Sequence, residues 1–256
     1  MKALIPAAGH GTRFAPFTKL VPKEMLPIGA RPAIALIVDE AIEAGADEVV
    51  IITSPEKPLL KEWFEIEPPK VKITWVDQLE QHGLGHAVLQ AEDAILSPTP
   101  TSNSNSELDD RVLILLGDAL VSGCCASKAM VERSKSLGGV AVIGVEEVPL
   151  EKVSRYGIMK VEGDYVVDMV EKPSVDEAPS RLAVAGRYLL PVKIFDYLKT
   201  QTPGKGGEIQ LTDSIKRMIS DGTRLAPYVY PGKRQDIGNP DGYYAALTAF
   251  RGECKS

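Results

Sequence analysis

The sequence predicts an α/β protein built on a mixed, mainly parallel sheet with helices on both faces. Three observations carry this reading. Glu48–Thr53 (EVVIIT) and Val112–Leu116 (VLILL) are continuous apolar runs, the pattern of parallel strands covered on both sides. From Pro32, the residues Ile34, Ile37, Val38, Ala41 and Ile42 recur at helical spacing, which marks one buried face. After about residue 140 the texture changes to strand-like runs joined by tight turns.

Taken in order, Lys2–Pro6 is a short apolar strand that runs into the Gly-containing turn Gly9–Gly11. The Pro32 helix is closed by Gly45, a residue suited to a helix C-terminus. Strands follow at 48–53 and 71–76, a helix over about 84–95, and the 112–116 strand. Such βαβ alternation argues for a parallel sheet. Residues 97–110 (SPTPTSNSNSELDD) are too polar to pack and read as a mobile surface loop. VAVIGVEEV, YGIMKVEGDYVVDMVEKP and LAVAGRYLLP supply the later strands, with Glu162–Gly163–Asp164 as a hairpin tip. Helices are expected near 191–200, 210–220 and 239–251, and no internal repeat is present.

Composition narrows the function. The 256 residues include 44% hydrophobic and 25% charged side chains, the balance of a globular protein. No run of about 18 apolar residues argues for a membrane span, and the N-terminus lacks a signal-peptide pattern. Three cysteines, with Cys124 and Cys125 adjacent, form neither a disulfide framework nor zinc-ligand spacing. A cytoplasmic setting is expected. The vicinal pair reads as packing.

Acidic residues outnumber basic ones 35 to 29, yet none precedes Glu24, while Arg13, Lys19 and Lys23 gather near the Gly turn. Local positive charge in an acidic chain without a broad basic face points to a small anion and away from nucleic acid. Gly9 and Gly11 would let backbone N–H groups approach phosphate. A dinucleotide fingerprint fails because Phe14 stands at its third glycine, and a Walker A loop fails because the turn ends Gly-Thr-Arg.

The whole stretch, GxGTR followed by PKEMLP, resembles the signature of the sugar-1-phosphate nucleotidyltransferases, and within them the bacterial-type UTP–glucose-1-phosphate uridylyltransferase branch. QLEQHGLGHAV (78–88), ILLGDAL (114–120), RYGIM (155–159), VEKP (170–173), AGRYLL (185–190), GEIQLTD (207–213) and DIGNPDGYY (236–244) match further motifs in order. The resemblance implies the Rossmann-like nucleotide-diphospho-sugar transferase fold in one domain. About 1–140 would bind nucleotide, and about 141–256 would form a smaller lobe for the sugar phosphate.

It also implies a reaction: a glucose-1-phosphate oxygen attacks the α-phosphorus of UTP, giving UDP-glucose and pyrophosphate. Arg13 and Lys23 would face the triphosphate, with Lys19 nearby. Ala7, Ala8, Gly9, Gly11, Thr12, Gln78 and Gly83 would complete the nucleotide site, although Leu79 stands where glycine is usual. Asp118 and Asp236 would hold Mg²⁺, which takes one or two carboxylates plus substrate phosphates. Lys172 would meet the sugar phosphate; Gly157, Glu171, Gly186 and Glu208 would line the sugar. His86 reads equally as packing. A homodimer is expected. Two alternatives stand beside this reading: dTTP or another hexose-1-phosphate as substrate, and a non-catalytic nucleotide-sugar-binding regulator.

Overall fold

The structure is a computed structural model and describes residues 1–98, 108 and 110–252. Most of the polar stretch read as a surface loop, 99–107 and 109, lies outside the described residues. The strands are β1 (Lys2–Pro6), β2 (Pro27–Ile28), β3 (Arg31–Pro32), β4 (Glu48–Thr53), β5 (Lys72–Asp77), β6 (Arg111–Leu115) and β7 (Ala119–Ser122). They continue with β8 (Ala141–Glu147), β9 (Gly157–Glu162), β10 (Tyr165–Glu171), β11 (Leu182–Pro191), β12 (Leu225–Val229) and β13 (Lys233–Asp236). The helices are α1 (Ala33–Glu43), α2 (Pro58–Ile66), α3 (Leu84–Gln90), α4 (Glu92–Leu96), α5 (Ala126–Ser136), α6 (Ile194–Lys199), α7 (Leu211–Ser220) and α8 (Pro240–Ala249). Among the described residues no helix is long and apolar enough to cross a membrane.

Nine strands form one mixed sheet along the path β10-β9-β11-β6-β1-β4-β5, with β8 pairing β11 and β12. The run β6-β1-β4-β5 is parallel throughout. The antiparallel pairing gathers around β11, which has β8 along one edge and β6 and β9 along the other. Alternate side chains of the parallel strands enter opposite layers. Ala3, Ile5, Val49, Ile51, Leu113 and Leu115 pack with α1, α2, α5 and α8. Leu4, Val50, Ile52, Val112 and Ile114 pack with α3, α4, α6 and α7. Two covered faces explain why these strands read as unbroken apolar runs.

Most expected elements stand within a residue or two of their places. The helix expected over 84–95 breaks at Ala91, whose N–H donates to Val88 O, a tighter bond than the helical one, so α3 and α4 are separate. The helix expected from 191 starts at Ile194, because β11 extends to Pro191. The β2–β3 hairpin, α2, α5, β7, β12 and β13 had no counterpart in the reading of the sequence.

Candidate active site

In an open parallel sheet, ligands sit beyond the C-terminal ends of the strands. This is where the expected residues collect. β1 delivers Ala7 to Arg13, β5 delivers Gln78, and β6 is followed by Gly117 and Asp118. Among the described residues, the backbone N–H groups from Ala8 to Arg13 have no acceptor. Six consecutive donors thus stand open to an anion at this turn. Lys23 sits beside it, with Nζ 3.7 Å from where a β-carbon on Gly9 would lie.

Lys23 Nζ donates to Asp118 Oδ2 at 2.5 Å. Burial alone would lower the lysine's pKa and raise the aspartate's. The facing charges override this: Asp118, Glu24 and Asp236 push Lys23 up, and Lys23 holds Asp118 below the usual carboxylate range. Both groups are therefore ionised at neutral pH.

Asp236 reaches the same place by pairing. In the two-stranded β13–β7 ribbon, Asp236 stands opposite Ala119, the neighbour of Asp118, and Ile237 N donates to Asp118 O at 2.9 Å. A β-carbon on Gly238 would lie 2.9 Å from Asp236 Oδ1 and 3.1 Å from Asp118 Oδ2. Arg13 Nη1 is 3.8 Å from Asp236 Oδ2. Two carboxylates thus converge, each balanced by a cation. Among the described residues no cluster of three or more carboxylate, thiol or imidazole groups could hold a metal by itself. A pair of aspartates fits an ion that draws its other ligands from substrate oxygens and water.

The other half lies across the sheet. Glu171, at the end of β10, pairs with Gly157 in register. Its Oε2 accepts from Thr212 Oγ1 at 2.6 Å, and its Oε1 lies 3.4 Å from Lys172 Nζ. Lys172 has φ +45°, the only positive φ among the described non-glycine residues; Lys205 Nζ donates to its carbonyl. A cavity of about 140 Å³ is lined by Arg155, Gly157, Glu171, Gly186, Thr212 and Arg234, among others. At Gly186, φ +78° accompanies the register shift of β11 between Val184 and Tyr188, and such a bulge needs glycine. A groove of about 960 Å³, sharing Arg155 and Arg234 with this cavity, includes Arg13, Lys172 and Asp236. The groove connects residues of the two halves.

Other expected residues have different surroundings. Gln78 is buried, with Nε2 3.0 Å from His86 Nδ1; burial and the neighbouring His82 lower the His86 pKa, so its imidazole is neutral near pH 7. A β-carbon on Gly83 would come within 2.8 Å of Glu208 Cβ and Ile209 O. Gly83 is thus the contact where α3 meets the segment before α7. Glu208 is exposed, accepts from Gln210 Nε2 at 2.7 Å, and does not line the sugar-side cavity. Thr12 and Lys19 are exposed, and Leu79 is 81% exposed. Cys124 and Cys125 are free thiols; burial pushes both pKa values up, Cys125 to about 11, which makes them poor nucleophiles.

Four residues that matter were not singled out from the sequence: Thr212, Arg155, Arg234 and Lys57. Arg234 donates to Glu146 at 2.6 Å and stacks on Tyr156 at 4.5 Å. Thr212 lay within a quoted motif, GEIQLTD, and Arg155 within RYGIM. Lys57 had no signal, since two of its partners are backbone carbonyls and the third, Glu24, is 33 residues away.

The fold and this site place the molecule among enzymes that handle nucleotides. The chain belongs to the nucleotidyl transferase family, which matches residues 2–252. It is 38% identical to a UTP–glucose-1-phosphate uridylyltransferase of Bacillus subtilis (strain 168), over 97% of this chain and 90% of that protein. It is similar to the crystal structure of a UDP-glucose pyrophosphorylase complexed with UDP-glucose, with a TM-score of 0.87 and 35% identity over 98% of both chains. A UTP-bound UGPase from Acinetobacter baumannii superimposes with a TM-score of 0.80 and 35% identity, over 97% of this chain and 92% of that one.

Proposed function

We propose that this chain transfers the uridylyl group of UTP to glucose-1-phosphate, releasing pyrophosphate and forming UDP-glucose. The observation that carries the reading is one groove that brings Arg13, at the end of the open N–H run, together with Asp236 and Lys172, and that shares Arg155, Tyr156 and Arg234 with the Glu171 cavity. The near full-length likeness to uridylyltransferases supports it.

In this reading the triphosphate lies over the N–H groups of the turn, with Arg13 and Lys23 neutralising its oxygens. Ala7, Ala8, Gly11 and Gln78 bound the nucleoside pocket. Lys172 holds the phosphate of glucose-1-phosphate, and Glu171, fixed by Thr212, accepts from sugar hydroxyls. A sugar-phosphate oxygen forms the new bond to the α-phosphorus as the bond to the β-phosphate oxygen breaks, and the electron pair leaves with pyrophosphate. No side chain becomes a nucleophile. The chain contributes alignment of two anions and compensation of their charge. Asp118 and Asp236 would hold Mg²⁺, which when bound draws charge from the reacting phosphate oxygens.

We further infer a cytoplasmic setting, supported by the free thiols Cys124 and Cys125, and a homodimer, which light scattering tests as twice the chain mass. The reaction is tested by pyrophosphate release with UTP or dTTP against several sugar-1-phosphates, with and without Mg²⁺. UTP with glucose-1-phosphate and Mg²⁺ should be the fastest set. A preference for dTTP would overturn the named nucleotide, and no release with any pair would favour a binding protein.

A further inference from the structure

Lys57, the residue before α2, is only 7% exposed. Its ammonium donates to Ala7 O at 2.7 Å, to Gly9 O at 2.6 Å and to Glu24 Oε2 at 3.0 Å. An ammonium has three donors, and all three are used. Glu24 is 1% exposed and follows Lys23 directly. One buried cation therefore ties the end of β1 and the turn after it to the segment that carries Lys23.

A planar trans peptide sets the C=O of one residue and the N–H of the next on opposite sides. Holding the Ala7 and Gly9 carbonyls against Lys57 consequently turns the Ala8 and His10 N–H groups the other way. Those two N–H groups belong to the set without an acceptor. The turn contains Gly9 and Gly11 and has no ladder partner of its own beyond Ala7, whose N–H donates to Ile52 O. Besides Lys57, among the described residues only the exposed Gln81, donating to Ala8 O, and the half-buried Thr18, donating to Gly11 O, hold its carbonyls by side chain, both at 2.8 Å. Without the buried ammonium the glycine-containing backbone would therefore sample more orientations. Pre-ordering it before ligand arrives removes that cost from binding.

We propose that Lys57 is a positioning residue that presets the phosphate turn, so that its loss weakens the site for the nucleotide and spares the site for the sugar phosphate. The proposal rests on the reading of turn 8–13 as the triphosphate cradle. It does not require Lys57 to touch substrate, and it gives Glu24 the role of keeping the buried cation charged and in place.

The test compares wild type, Lys57→Met and the double variant Lys57→Met/Glu24→Leu. The double variant leaves no stranded buried carboxylate, so it covers the case in which the single variant fails to fold. UTP affinity is measured by calorimetry without sugar phosphate, and KM is measured separately for UTP and glucose-1-phosphate. The expected result, in both folded variants, is a UTP Kd and KM raised about tenfold or more by the lost hydrogen bonds. The glucose-1-phosphate KM should stay within about twofold, because that contact is remote from the turn. A lower melting temperature with both KM values unchanged would assign Lys57 to stability alone and overturn the proposal. Equal rises for both substrates would do the same. Failure of the catalytic reading would appear separately, as wild type that binds UTP yet releases no pyrophosphate, and the calorimetric comparison would still decide the role of Lys57.

Discussion

Lys23 Nζ and Asp118 Oδ2 stand 2.5 Å apart although 95 residues separate them in the chain. The pair joins the N-terminal turn to the end of β6, and each partner keeps the other ionised in partly buried surroundings. It also means that a cation and a carboxylate meet where a triphosphate and its metal would have to be handled together.

Replacing Asp118 by Asn should lower turnover by about a hundredfold or more while the fold persists, since such preorganised charge is the largest single contribution in many active sites. The same variant has a pH signature. The Asp118 pKa is depressed in the folded protein, so the pair's contribution is full above the unfolded aspartate value and is lost as pH falls through the lower folded value. Lys23 is raised, so its share persists through neutral pH and fails only above the ordinary lysine range. Denaturant titrations should show wild type more stable than Asp118→Asn by about 1–2 kcal/mol at pH 7. The gap should close below about pH 4. A gap independent of pH would separate the pair from stability.

Lys172, which lines the groove beside the sugar-side cavity, carries backbone strain, with φ +45°. A side chain kept in the left-handed region points to a contact worth more than the strain. Lys172→Ala and Lys172→Gly should both raise the glucose-1-phosphate KM far more than the UTP KM. Glycine relieves the strain and alanine does not, so the Gly variant should be more stable than the Ala variant by about 1 kcal/mol. Equal effects on the two substrates, measured by separate saturation curves, would count against the contact.

Arg187 is fully buried and meets Glu40 through Nε–Oε1 at 2.9 Å and Nη2–Oε2 at 2.6 Å. Arg187 Nη2 also donates to Ala119 O at 2.7 Å, next to Asp118. Glu40 further accepts from Ser127 Oγ and N. Removing one partner strands a buried charge, so Arg187→Met should cost about 3–5 kcal/mol. The double variant Arg187→Met/Glu40→Met should recover most of that loss in chemical denaturation. A double variant no more stable than the single would show that packing, and not charge, sets the cost.

The parallel half of the fold was legible because burial on both faces leaves an unbroken apolar run, as in EVVIIT, and because a helix with one buried face repeats every three to four residues, as from Ile34 to Ile42. The β7–β13 ribbon was not legible. Lys233–Asp236 is polar, and its strand character comes from a partner more than a hundred residues away. For the same reason the residue types near the site could be named from the sequence, while their neighbours could not. Gly83 illustrates this: the resemblance put it in the nucleotide site, but only the structure brings Glu208 and Ile209 against it.

By itself, then, the sequence determined the mixed α/β class, the basic turn free of acid up to Glu24, and the motifs in order. Local pattern suffices for these, since periodicity and turn chemistry act over a few residues. Only the tertiary structure decided how Asp236 reaches Asp118, through the β7–β13 ribbon, that Thr212 fixes Glu171, and that Lys57 grips the carbonyls of Ala7 and Gly9. Those contacts depend on strand order, register and the burial of individual polar atoms, and these arise only when distant segments pack.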